Sequence, residues 1–444
     1  MSSAEPFRIV VIGGGAGGLE LVTRLGNRFR RQPAIEITLV DRGYTHLWKP
    51  LLHEVAAGTL NSNDDELDYL AQAHWHRFHF RLGALEAVDR DAKTVTIAPS
   101  FDSAGQPYIP RRSFNYDALV IAIGSVTNDF GIPGVAEHCL FLDGRTEADA
   151  FHQRLVRACY TANEQTEPLR EGQLDIAIAG AGATGVELAA ELHHAVRALV
   201  EFGLTRIQPE RDIKIHLIDG APRILPGLSE RISNTTQAAL NALGIHIHTG
   251  ELVAEATAQG LRMKSGKFIP AEIKVWAAGI KGPDVLCALD GLEVNRINQL
   301  LVRPTLQTTL DDSIYAFGDC AACPLAPELA ALVPPRAQAA HQQAALLARA
   351  LEARIMGRGN APEFRYRDFG SLINLSTHST IGNLMGNLFG HHAGSVSIEG
   401  WFARLAYLSL YKMHQVAVQG AIRTALMTLA NLLTQRTKPR LKLH

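Results

Sequence analysis

The sequence predicts an α/β fold with two parallel sheets, and two observations carry the prediction. An apolar run, a glycine turn and a helical stretch follow one another in FRIVVIGGGAGGLELVTRL, with glycines at Gly13, Gly15 and Gly18. The same order returns in LDIAIAGAGATGVELAAEL, at Gly180, Gly182 and Gly185. Strands that alternate with helices favour parallel sheets, and a glycine turn between the two marks a Rossmann-like dinucleotide-binding domain. Its recurrence at domain scale predicts two such domains in one chain.

In the first copy, residues 7 to 12 form a nearly continuous apolar strand and residues 16 to 25 have helical composition. Gly13 permits the tight turn, Gly15 lets the backbone approach a pyrophosphate, and Gly18 lets helix and strand pack closely. Unpaired amides at the helix N-terminus attract the anion. A second strand, Ile35 to Val40, ends in Asp41, 26 residues beyond Gly15, where a carboxylate can accept ribose hydroxyls.

The second copy has Leu174 to Ala179 as its strand and Thr184 to Leu192 opening its helix. Its ribose acid is Asp219, which follows the strand Ile213 to Ile218 and lies 37 residues beyond Gly182. The extra length resides in HHAVRALVEFGLTRIQPERD, which prolongs the helix and adds a loop. A carboxylate at Asp219 favours NAD and repels the extra phosphate of NADP. Arg223 is near enough in sequence to soften that preference.

Two dinucleotides in one chain are most simply explained by electron transfer between a flavin and a nicotinamide. An isoalloxazine accepts a hydride from a stacked nicotinamide, so the protein's task is placement and electrostatics rather than proton chemistry. No metal is expected: the C-x-x-C of Cys320 and Cys323 has no second pair beside it, and His74, His76 and His79 lack Cys or carboxylate partners at ligand spacing.

A chain of 444 residues with 47% hydrophobic content accommodates two or three folded domains. With 43 basic and 44 acidic residues, composition gives no case for nucleic-acid binding. Charge is unevenly spread, because residues 401 to 444 hold seven basic side chains and no acid, leaving −8 on the first 400 residues. Such a basic segment suits an anionic membrane surface. Nothing before residue 7 reads as a secretory signal, and five unevenly spaced cysteines suit a reducing compartment, so the cytosolic side is expected.

Further along, DDSIYAFGDC delivers Gly318 and Asp319 from a short apolar strand. With this segment the chain resembles the flavoprotein pyridine-nucleotide disulfide oxidoreductase superfamily. Within it the chain is similar to the bacterial type II NADH dehydrogenases, single-subunit NADH:quinone oxidoreductases. The closer likeness rests on THLWKPLLHEVAAG (Thr45 to Gly58), GATGVELAAELH (Gly182 to His193), VWAAGIKGPD (Val275 to Asp284), VPPRAQAAHQ (Val333 to Gln342), LYKMHQ (Leu410 to Gln415) and the PRLKLH ending.

The resemblance implies a flavin domain split into residues 1–141 and 290–370, a nicotinamide domain at 142–289 inserted between its halves, and a membrane-association region at 371–444. Strand-like runs at 84–112, with a GQP turn, are expected to form a small antiparallel layer. FAD would be held by Gly13, Gly15, Gly18, Asp41, Gly318 and Asp319, and NADH by Gly180, Gly182, Gly185 and Asp219. Glu187 would stand close to both rings, orienting them or tuning charge transfer; the alternative is that it complements its helix dipole. AQAAHQ resembles the family's A-Q-x-A-x-Q pattern, so Gln338 and Gln342, four apart on one helix face, would meet a membrane quinone, ubiquinone or menaquinone.

Residues 419 to 435 predict an amphipathic helix, with Ile422, Leu426, Leu429 and Leu433 on one stripe and Thr424, Thr428, Asn431 and Gln435 opposite. Its uncharged stretch of 12 residues falls short of the ~20 that cross a bilayer. Trp401, Phe402, Tyr407 and Tyr411 upstream suit a headgroup boundary, and Arg436, Lys438, Arg440 and Lys442 follow. The expected protein is peripheral, on the cytoplasmic face of a bacterial inner membrane, and does not pump protons. A stripe of this kind also serves as core or as the interface of a homodimer. Two rivals stand beside this reading. A sulfide:quinone oxidoreductase needs cysteines facing the flavin, which the disposition of Cys139, Cys159, Cys287, Cys320 and Cys323 does not supply, and its nicotinamide motif is usually degraded, whereas this one is intact. A flavin- and NADH-binding redox sensor would show slow turnover.

Overall fold

The structure is a computed structural model and describes residues 5–60, 66–102, 104–326, 328–358, 362–375, 380–384, 396–399 and 411–434. The chain divides into two compact units. One comprises Met1–Trp48, Asp65–Val126 and Ile280–Arg367; the other comprises Lys49–Asp64, Thr127–Gly279 and Asp368–His444.

In the first unit five parallel strands lie in the order Ile314–Ala316, Ala118–Ile121, Phe7–Ile12, Ile35–Asp41 and His79–Leu82. Ile9, Val10, Val11 and Ile12 are all buried, as a strand covered on both faces requires. Burying each such side chain contributes ~1.5–3 kcal/mol. The register pairs Ile12 with Ile121 and Ile121 with Ala316, so Gly13 and Gly318 leave the sheet at its carboxyl edge. Leu85–Asp89, Thr94–Ile97 and Arg112–Asn115 form the expected antiparallel layer.

The second unit repeats the plan with four parallel strands, in the order His246–Thr249, Ile215–Asp219, Ile176–Ala179 and Ile273–Trp276. A helix over Ala183–Glu201 follows the second glycine turn, and Pro209–Asp212 makes a short helix before the next strand. That extension accounts for the long gap to Asp219.

The changeovers between units fall at 126/127 and 279/280, ahead of the 141/142 and 289/290 read from sequence. Residues 127–141 are tied into the second unit. Thr127 donates its amide and hydroxyl to Asp143 Oδ1, both at 2.8 Å, and Leu140 exchanges main-chain hydrogen bonds with Lys274 and Trp276. The helix Leu52–Ala57 also belongs to this unit, packed on Arg145–Glu164 and Ala183–Glu201.

The C-terminal helix Ala421–Thr434 presents its faces as an inverted amphipath. Ile422, Leu426, Leu429 and Leu433 are 80, 65, 56 and 73% exposed, whereas Thr424 is 4% exposed. Thr424 and Thr428 donate to carbonyls four residues back, which lets Thr424 turn inward, while Thr428 is half-buried and Asn431 is exposed. Among the described residues no helix is long and apolar enough to cross a membrane. Trp401, Phe402, Tyr407, Gln435, Arg436, Lys438, Arg440 and Lys442 lie outside the described residues.

Candidate functional site

The first glycine turn is shaped by steric necessity. Gly13 has φ +102°, and a Cβ there would meet the Ala122 carbonyl; a Cβ on Gly18 would run into the Gly13 carbonyl oxygen. Gly15 differs, since a Cβ added to it meets nothing of the protein within 4 Å. The protein's own packing therefore does not demand glycine at Gly15. The open space above it, beside the N-terminus of helix Ala16–Arg28, fits a pyrophosphate. Asp41 sits at the end of its strand, with Oδ2 accepting from the Gly14 amide at 2.6 Å and Oδ1 from Gly43 at 2.8 Å. Burial raises its pKa, and these two hydrogen bonds oppose the rise.

Two residues that sequence reasoning missed grip this turn. Tyr69 donates its hydroxyl to the Gly14 carbonyl at 2.8 Å, and His46 Nδ1 lies 2.9 Å from the same oxygen. Burial lowers the His46 pKa to about 4, so the ring is neutral and Nδ1 carries the donated hydrogen. Burial also pushes the Tyr69 phenol well above its ordinary value, with the Asp41 charge adding to it, which keeps it a donor. His46 lay within the THLWKPLLHEVAAG stretch; nothing local to Tyr69 signalled its role.

Gly318 and Asp319 reach the same sheet edge. Gly318 has φ +73°, and its amide donates to Gln343 Oε1 at 2.9 Å. Ser125 Oγ donates to Asp319 Oδ2 at 3.2 Å, and Gln299 Nε2 to the Asp319 carbonyl at 3.0 Å. Helix Ala337–Ile355 carries Gln338 and Gln342 and packs on helix Ala16–Arg28. Gly17 makes that approach possible, because a Cβ there would collide with the Phe317 ring and crowd the Ala340 carbonyl. Glu20, fully buried, joins the helices by accepting from Arg24 Nε at 2.7 Å and facing His341 Nδ1 at 2.6 Å. Gln338 is half-buried. Gln342 closes a two-bond ring on the Arg367 main chain, at 2.8 and 3.0 Å, and Gln343, one residue on, holds Gly318.

In the second unit the same geometry recurs. Gly180 has φ +108°, Gly185 abuts the Gly180 carbonyl, and a Cβ on Gly182 would meet nothing within 4 Å. Asp219 accepts from the Ala181 amide at 2.6 Å and from Ala221 at 2.8 Å. The Arg223 guanidinium is engaged by its own chain, donating to the carbonyls of Leu225, Pro226 and Leu228 at 2.8 to 3.3 Å.

Glu187 is the fifth residue of helix Ala183–Glu201, beyond the first turn where a dipole role would put it. It is 8% exposed, and Oε1 accepts the Asn374 amide at 3.0 Å. His53 stands between two acidic side chains, with Nδ1 3.8 Å from Glu187 Oε2 and Nε2 3.8 Å from Glu54 Oε1. Burial, reinforced by Glu54 and Glu191, raises the Glu187 pKa to about 8, so its carboxyl is protonated at neutral pH. His53, buried and with its pKa lowered to about 4, is neutral too.

Four of the five cysteines offer little redox chemistry. Cys139, Cys159, Cys320 and Cys323 are buried, and burial pushes the thiols of Cys320 and Cys323 up to about 12, far from reactive thiolates.

Two parallel-sheet units, each with a glycine loop that leaves room for a pyrophosphate and an acid at the next strand end, define a two-dinucleotide oxidoreductase. The chain belongs to the pyridine nucleotide-disulphide oxidoreductase family, whose model matches residues 7–344, and within it to the type II NADH:quinone oxidoreductases. It is 42% identical over 448 residues to the type II NADH:quinone oxidoreductase of Haemophilus influenzae, covering 98% of this chain and 99% of that one. Its fold is similar to that of NDH2 from Plasmodium falciparum in complex with NADH, with a TM-score of 0.81, 19% identity and coverage of 99% and 100%. The sulfide:quinone oxidoreductase of Aquifex aeolicus shares the fold at a TM-score of 0.72 and 17% identity, covering 98% of this chain and 96% of that one.

Proposed function

We propose that the chain moves electrons from NADH through FAD to a membrane quinone, and that each glycine loop seats one dinucleotide. The observation that carries this reading is the pair of clear spaces above Gly15 and Gly182, which the protein's own packing leaves open. FAD is assigned to Gly13, Gly15, Gly18, Asp41, Gly318 and Asp319, and NADH to Gly180, Gly182, Gly185 and Asp219. When bound, the flavin supplies the two-electron step, receiving a hydride from NADH and passing two electrons to quinone. Asp219 favours NADH, supported by the commitment of Arg223 to three carbonyls. Glu187, protonated and fixed by Asn374, orients its surroundings without adding a charge.

Gln338 is assigned to the quinone, and Gln342 supports it by fixing the chain at Arg367. Steady-state NADH oxidation, with a short-chain ubiquinone against oxygen alone, tests the whole reading. Gln338→Ala is expected to lower quinone turnover on the order of tenfold while leaving anaerobic flavin reduction by NADH near normal. Equal loss of both rates would remove Gln338 from the quinone site.

The membrane assignment is supported by the four exposed apolar side chains of Ala421–Thr434 and by the acid-free, basic sequence around them. On this reading the protein lies on the cytoplasmic face of the membrane and gives protons no path across it. Leu426→Asp with Leu429→Asp should abolish sedimentation with anionic vesicles and leave flavin reduction intact. If vesicle binding persists and the variant changes from dimer to monomer, the stripe is a subunit interface instead.

A further inference from the structure

Apart from the glycine loop, the second unit carries a solvent-open cavity of about 500 Å³ against the helix Arg145–Glu164, with Arg154, Arg157 and Arg170 exposed on its walls. Its walls include Gln173 and Glu272, which stand just before the strands Ile176–Ala179 and Ile273–Trp276. The cavity therefore opens at the amino edge of the parallel sheet. Gly180, Gly182 and Asp219 lie at the carboxyl edge, and four residues of strand at ~3.3 Å each set the two edges ~13 Å apart. A dinucleotide on the glycine loop leaves this cavity free.

The lining is strongly cationic. Arg154, Arg157 and Thr161 descend one face of the helix at i, i+3 and i+7, and Arg170 closes the cavity from the loop that follows. Glu272 is the one carboxylate among the lining residues, and it is already engaged: Arg170 Nη2 meets its Oε2 at 2.9 Å, and Arg154 Nη2 donates to its main-chain carbonyl at 3.3 Å. Arg157 makes no hydrogen bond or ion pair with any described residue. Three guanidinium groups thus face one carboxylate, in a chain whose net charge is −1. Buried Lys274 adds a further cation nearby, donating to the carbonyls of Ala258, Ala271 and Glu272. Its pKa is lowered by burial first and by the Arg154 charge second.

Arginine forks match the oxygens of phosphate, and a cavity of this volume is of small-ligand size. We infer that the cavity is a binding site for a phosphate-bearing anion no larger than a mononucleotide, held by Arg154 and Arg157 with Arg170 as its wall. A soluble polyphosphate and a phospholipid headgroup present the same chemistry. None of the residues involved belongs to the dinucleotide or quinone machinery, so the inference stands or falls separately from the proposed activity.

The test uses the flavin-loaded enzyme with NAD⁺ at saturation, so that the glycine loop is filled. Pyrophosphate binding is read by calorimetry, and headgroup binding by sedimentation with phosphatidylglycerol vesicles against phosphatidylcholine vesicles. Arg154→Gln with Arg157→Gln is expected to weaken binding of at least one probe roughly tenfold or more, the loss of one or two charge-assisted hydrogen bonds. NADH oxidation should be unchanged, and that also certifies the fold of the variant; Arg157→Glu alone provides a second, milder disturbance of the helix. Loss confined to pyrophosphate identifies a soluble anion, and loss confined to phosphatidylglycerol vesicles identifies a lipid headgroup. Equal binding of both probes by wild type and variant, or no binding of either by wild type, overturns the site.

Discussion

The two glycine loops share one backbone and differ in what closes over them. Gly13 and Gly180 have φ of +102° and +108°, and Asp41 and Asp219 each accept a loop amide at 2.6 Å. Around the first loop, two side chains hold the Gly14 carbonyl, Glu20 locks the helix behind it, and Gly17 lies buried beneath Phe317. Around the second, the carbonyl of Ala181 is held by one main-chain amide, that of Leu225, and the counterpart of Gly17 is Thr184, which is exposed together with Ala183. A loop sealed by side chains suits a cofactor that stays; a loop with an open shoulder suits a substrate that exchanges at every turnover. On the proposed assignment one signature would serve two residence times, with the difference lying in the surroundings.

Paired substitutions sharpen that comparison. Gly15→Ala and Gly182→Ala each place a methyl in empty space, so neither disturbs packing. The first is expected to yield protein purified without flavin. The second should keep its flavin and raise the KM for NADH roughly tenfold or more, measured by stopped-flow flavin reduction. If both variants kept flavin and bound NADH normally, the assignment of the loops would fail. Asp219→Asn is next in size: removing the repelling charge should narrow the preference for NADH over NADPH on the order of tenfold, in kcat/KM for the two nucleotides.

Glu187→Gln separates the second unit by pH. The folded carboxyl, with a pKa raised to about 8, binds its proton more tightly than the unfolded chain does. Wild-type stability therefore falls as pH rises from ~4.5 to about 8 and levels off above that. The variant should lose this slope, which thermal unfolding across pH 5 to 9 would detect. Identical slopes would place the ionisation elsewhere. Smallest is Tyr69→Phe, which leaves the Gly14 carbonyl with His46 alone and should cost about 1 kcal/mol in denaturant unfolding. Among the described residues no side chain holds the Ala181 carbonyl of the second loop, so it offers no corresponding substitution.

Legibility followed the range of the interactions. Both glycine turns, their strands and Asp41 and Asp219 were readable because each is built within a stretch of fewer than about 40 residues. The 37-residue gap after Gly182 resolved into a longer helix and a second short one, as HHAVRALVEFGLTRIQPERD had suggested. The shared helix face of Gln338 and Gln342 was readable, but the bonds of Gln342 to Arg367 and of Gln343 to Gly318 were not, since both partners arrive from separate segments. Glu187 was singled out through its motif, whereas its protonation depends first on burial, with Glu54 adding to the rise and the Asn374 amide opposing it, and both of those partners come from distant segments.

By itself the sequence determined the two-sheet α/β plan, the paired glycine turns and the apolar stripe of the helix Ala421–Thr434, because glycine stereochemistry and hydrophobic periodicity act over a few residues. Tertiary structure alone decided which loop is sealed, which carboxyl keeps its proton, that Arg223 is occupied by carbonyls, and that the apolar stripe faces outward. Those outcomes depend on burial and on partners distant in sequence, and no local pattern encodes the dielectric environment that a side chain meets once the chain has folded.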